Sequence, residues 1–60
     1  MSDHEDNSGQ VSILFVDDER AILAAFKRLM RNIPARFFFL TSPVEALELI
    51  VKENIDIIVS

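Results

Sequence analysis

Three acids stand side by side at Asp17, Asp18 and Glu19, directly after the apolar run Ile13, Leu14, Phe15 and Val16 and directly before Arg20. Adjacent carboxylates raise one another's cost of ionising, so such a cluster calls for a cation or a base nearby. A hard divalent ion suits it: Mg²⁺ accepts one or two carboxylates and keeps several of its waters. The plainer reading is that Asp17 or Asp18 caps a following helix while the other acids favour that helix's positive end. With three acids present, both roles can coexist.

Other side chains able to do chemistry are few. The chain has no cysteine, which excludes disulfides and thiolate metal sites. Its one histidine, His4, lies in a polar acidic stretch with nothing to fix a metal's other ligands. Thr41 and Ser60 carry hydroxyls, but neither has a histidine or lysine base beside it in sequence, so nucleophilic catalysis by them is not expected. Phe37, Phe38 and Phe39 are expected in packing, since a working aromatic platform usually sits on an otherwise polar surface.

The elements that must position the acids follow from the hydrophobic pattern. Residues 11–16 form a short run rich in β-branched side chains, the pattern of a strand buried on both faces as in a parallel sheet. From Glu19 the period changes: Ile22, Phe26, Leu29, Met30 and Ile33 make one helical stripe, while Arg20, Lys27, Arg28 and Arg31 mostly face away. Pro34 ends that helix and places Ile33 at or beyond its end. Residues 36–41, RFFFLT, predict a second strand. SPVE then combines an N-cap serine at Ser42, a proline at the first helical position and Glu45 placed to reach back to the cap. Ala46, Leu47, Ile50 and Val51 are the expected packing face of this second helix, Lys52 favours its negative end and Asn54 is suited to a left-handed stop. Residues 55–59, IDIIV, predict a third strand.

The alternation β-α-β-α-β argues for an α/β layer fold with parallel strands; with strand two on one side of strand one and strand three on the other, this is a partial doubly wound, flavodoxin-like sheet of order 2-1-3, the expected arrangement. In that order the topological reversal falls between the first and third strands, at their carboxyl ends, where open α/β sheets place ligands. Asp17 and Asp18 sit there.

Composition narrows the function classes. The net charge of −4 comes largely from Asp3, Glu5 and Asp6, so residues 11–60 hold seven acids against six bases and show no basic stripe of the kind a nucleic-acid binder needs. The longest apolar run is six residues, 21–26, far below the roughly 20 that a membrane span requires. Residues 1–10 are too poor in apolar side chains to pack and lack the pattern of a secretory signal, so they are expected to be a disordered acidic lead-in. A cytoplasmic protein that contacts neither nucleic acid nor membrane is the expectation.

ILFVDDER, an amphipathic helix, a second strand, TSPVEALELI and IDIIVS together resemble the opening half of a response-regulator receiver domain of two-component phosphorelay signalling. The likeness runs over residues 11–60; its most specific part is the acid pair after an apolar strand. The resemblance implies that Asp17 and Asp18 help hold Mg²⁺ beside an aspartate that accepts a phosphoryl group from a sensor histidine kinase, Asp18 more directly and Asp17 partly through water. Arg20 stands where many relatives have proline, and the LTSPVE junction is tighter than usual. The family's acceptor aspartate would follow Ser60 directly, and its later hydroxyl residue and lysine are likewise not among these sixty residues. Asp56 opens the third strand, at the wrong end of the sheet to substitute.

The expectation is therefore a truncated receiver module that is not itself an enzyme and whose Mg²⁺ site is incomplete, with possible homodimerisation through the exposed third strand. One alternative is a phosphorylation-independent interaction module that binds a kinase or a receiver. Another is a Mg²⁺-dependent phosphohydrolase fragment, which would need further acids and a base.

Overall fold

The structure, a computed structural model, describes residues 10–60; His4 and nearly all of the expected lead-in lie outside the described residues. The elements run β1 (Ser12–Val16), α1 (Arg20–Leu29), β2 (Arg36–Leu40), α2 (Pro43–Lys52) and β3 (Ile57–Val59). All strand pairing is parallel, in the order β2-β1-β3. The α/β alternation and the 2-1-3 sheet read from sequence are both present. β3 is two residues shorter than the expected 55–59, because the chain joins the ladder fully only at Ile57.

Register explains the core. Ile13 and Phe15 of β1 lie opposite Phe37 and Phe39 of β2 and opposite Ile57 and Val59 of β3. Side chains alternate across a strand, so these residues share one face and Leu14 points to the other. On the first face Phe15 stacks on Phe39, with ring centroids 5.2 Å apart, and meets Phe26 of α1 at 4.8 Å. Phe37 and Phe39 of β2 thus pack in an aromatic cluster, while Phe38 on the other face lies under the Arg36 guanidinium, 5.3 Å from its ring centroid. Leu14 is fully buried and sits on the face that α2 covers by packing on β1 and β2. Leu23 and Ala46 are the buried positions of the two helices.

The helices sit rotated from the expected stripes. On α1 the buried residue is Leu23, with Phe26 half-buried, whereas Leu29 is 70% exposed. The helix ends at Leu29, so the later positions of the stripe fall in turns, and Ile33 lies outside it. On α2 Ala46 packs and Leu49 and Ile50 are half-buried, while Leu47 and Val51 are 66% and 86% exposed. A small alanine at the contact lets the helix approach the sheet closely and turns the larger side chains outward. Val44, Leu47 and Val51 consequently form an apolar stripe without cover among the described residues.

The helix ends also differ in quality. Ser42 is the N-cap of α2 as expected: its Oγ accepts from the Glu45 amide at 3.3 Å, with Pro43 opening the helix. The stop is not left-handed at Asn54, since no described residue has positive φ; the Glu53 amide donates to the Leu49 carbonyl instead. An ion pair, Arg36 to Glu53 at 3.2 Å, ties the start of β2 to the end of α2. Both partners are partly exposed, so it contributes at most about 1 kcal/mol.

Candidate functional site at the carboxyl edge of the sheet

β1 carries the acid pair directly to the sheet edge. The Asp17 amide donates to the Leu40 carbonyl at 3.1 Å, extending the β1–β2 ladder one residue beyond the strand. The backbone of Asp17 is therefore tied to the end of β2. Its side chain then turns the chain: Asp17 Oδ1 accepts from the Glu19 amide at 2.8 Å, a local loop of the kind short acidic side chains favour at a strand-to-helix junction.

Helix α1 begins at Arg20 with Glu19 as its N-cap, and Glu19 makes no side-chain cap hydrogen bond. The reading of Asp17 or Asp18 as the helix cap is overturned. Asp17 stops one residue short, bonding the amide of the cap residue rather than an amide of the first turn. Neither aspartate is consumed by capping, which leaves Asp18 exposed and one Asp17 oxygen outside the turn.

The two aspartates share one open hollow of about 370 Å³ with Val16, Thr41, Pro43 and Ser60. Asp17 and Asp18 follow β1, Thr41 follows β2 and Ser60 follows β3, so all three strands empty into the same place. The sheet order alone accounts for this convergence: a central β1 flanked by β2 and β3 brings three carboxyl ends side by side. Glu19, the third acid of the cluster, does not line the hollow.

The donor set has a definite chemistry. Two carboxylates and two hydroxyls are hard oxygen donors, which suit Mg²⁺ and do not suit soft metals. Among the described residues no three His, Cys, Asp or Glu side chains gather into one metal group, and the protein donors that they offer here are the two carboxylates and the two hydroxyls. Mg²⁺ accepts such a site because it keeps much of its hydration shell. Among the described residues no histidine or lysine lines the hollow to serve Thr41 or Ser60 as a general base.

Sequence reasoning found the acid pair and its location. It did not foresee Thr41 and Ser60 as neighbours of the pair, although each stands directly after a strand of the expected sheet, and that position was the available signal. Asp56 lies at the opposite end, where its Oδ2 accepts from the Ser12 amide. Among the described residues no helix is long and apolar enough to cross a membrane. Comparison with family models, curated proteins and solved structures gave no match.

Proposed function

We propose that this chain is the aspartate-pair half of a receiver module that relays a phosphoryl signal from a sensor histidine kinase, with Mg²⁺ as its cofactor. The observation that carries the reading is the shared position of Asp17 and Asp18 in one hollow at the switch point of a β2-β1-β3 parallel sheet. The carboxylates of Asp17 and Asp18 would hold the ion. When bound, it supplies positive charge against the negative charge that develops on a transferring phosphoryl group.

The chain's own residues contribute positioning. The ladder bond from the Asp17 amide to Leu40 fixes the backbone, and the Glu19 amide fixes one carboxylate oxygen, so the acid is preset before any ion arrives. A preset ligand reduces the ordering cost of binding. The acceptor aspartate, hydroxyl residue and lysine of receiver domains are not among these sixty residues. On this reading the sixty residues bind the ion and do not themselves perform transfer. The cytoplasm, where sensor kinases present their phosphohistidine, is the compartment the proposal implies.

Incubation with acetyl phosphate and Mg²⁺ tests the proposal. The sixty-residue chain is expected to remain unlabelled, while a chain extended past Ser60 by the remaining strands of a receiver domain takes label. Asp18→Asn in the extended chain is expected to abolish it. Labelling of the short chain, or undiminished labelling of the extended Asp18→Asn chain, would contradict the reading.

A further inference from the structure

A second concave surface adjoins the acid-pair hollow at Thr41, and it does not depend on the receiver reading. Ala24, Lys27 and Arg28 of α1, with Arg31 in the turn that follows, occupy positions i, i+3, i+4 and i+7 and so face one way. Opposite them stand Phe37 and Phe39 of β2, with Met30, Ile33 and Ala35 closing one end, around a hollow of about 740 Å³. A smaller neighbouring hollow shares Ala24, Lys27 and Phe39 and extends the surface to Arg20 and Thr41. No residue of β1 or β3 lines either hollow, so the groove runs between α1 and β2 on the outer side of the sheet.

Its electrostatics are one-sided. Arg20, Lys27, Arg28 and Arg31 are four of the six bases of the chain, and among the described residues no acid lines the groove. Among the described residues the sole ion pair is Arg36–Glu53, elsewhere on the molecule, so these four cations have no carboxylate partner there. The floor is apolar. Among the described residues β2 pairs only with β1, and its outer edge there offers backbone amides and carbonyls without a strand partner beside the groove.

We propose that this groove docks an acidic peptide segment bearing large apolar side chains, which rest on Phe37, Phe39 and Met30 while its carboxylates meet Lys27, Arg28 and Arg31. Charge complementarity selects the occupant: a cationic rim around an apolar floor rejects basic and purely polar segments. A single-stranded nucleic acid fits less well. Phe37 and Phe39 stack on each other, and Phe39 also stacks on Phe15 while Phe37 tilts against it, so the rings form one cluster rather than separate platforms for successive bases.

Fluorescence anisotropy with a short labelled peptide of alternating Glu and Phe tests the assignment, with Lys-Phe and Glu-Ser peptides as controls. Lys27 and Arg31 are exposed, so the double variant Lys27→Glu/Arg31→Glu should fold, which far-ultraviolet circular dichroism checks. The expected result is binding of the Glu-Phe peptide alone, weakened about tenfold or more in that variant, since close charge pairs at interfaces couple strongly. Ala24→Glu, in the middle of the groove, should weaken it comparably, and Lys52→Glu on α2 should leave it unchanged. Equal binding of the Glu-Ser peptide, an unaffected double variant, or an equal loss with Lys52→Glu would overturn the proposal. So would tighter binding of a thymidine oligonucleotide than of the peptide, or a tenfold gain on removing residues 1–9, which would make the chain's own acids the occupant.

Discussion

Ser12 and Asp56 are joined twice: the Ser12 amide donates to Asp56 Oδ2 at 2.8 Å, and the Asp56 amide donates to the Ser12 carbonyl at 2.9 Å. Ser12 is buried, so its amide has little access to water, and the aspartate supplies the acceptor that a neighbouring strand would otherwise give. This pair starts the β1–β3 ladder and sets its register, from which the convergence of the carboxyl ends follows.

Removing the Asp56 carboxylate should therefore loosen β3. Asp56→Ala is expected to cost about 1–3 kcal/mol in urea unfolding, the penalty for orphaning a buried donor. Asp56→Asn keeps an acceptor oxygen and should cost less. Equal losses for the two variants would show that the side chain is not the acceptor in solution.

The helix starts give opposite predictions. Ser42→Ala should cost about 0.5–2 kcal/mol because the Glu45 amide loses its partner. At α1 the cap Glu19 makes no such bond, so Glu19→Asp should stabilise by several tenths of a kcal/mol or more. Circular dichroism melts of the two variants should move in opposite directions.

Core truncation should be sharply graded by burial. Leu14→Ala removes a fully buried side chain and is expected to cost about 2–5 kcal/mol, enough to unfold a chain this small. Val51, 86% exposed, should tolerate alanine with little change. A near-neutral Leu14→Ala would place the core elsewhere.

Among the described residues β3 pairs only with β1, and its Ile57 and Ile58 are 46% and 52% exposed. An unpaired edge with apolar side chains templates pairing. The sixty-residue chain is expected to self-associate through this edge, and Ile58→Lys should shift it toward monomer in sedimentation velocity. A concentration-independent monomer before substitution would remove this expectation.

The sheet was legible because its signals are local. β-branched and aromatic runs of strand length alternate with helical stripes, and SPVE marks a helix start that the Ser42 bond then forms. Helix rotation was not legible. Periodicity gives a stripe, yet the choice of Ala46 over Leu47 as the contact depends on how closely α2 approaches the sheet. The site was legible in part: Asp17 and Asp18 followed from their place after β1, and the Asp17–Glu19 turn is a local bond between residues two apart, whereas the Ser12–Asp56 pair joins residues 44 apart and depends on tertiary geometry that no spacing rule encodes. The α1–β2 groove escaped for a similar reason. Basic residues that look like a solvated helix face acquire an apolar floor only when β2 lies beside them.

The most direct test of the central claim is titration with Mn²⁺, a paramagnetic substitute for Mg²⁺, followed by amide NMR. The account predicts selective broadening of the Asp17, Asp18, Thr41 and Ser60 signals, reversed by excess Mg²⁺ and lost in Asp17→Asn/Asp18→Asn. Broadening spread evenly over the surface acids, or unchanged in the double variant, would contradict it.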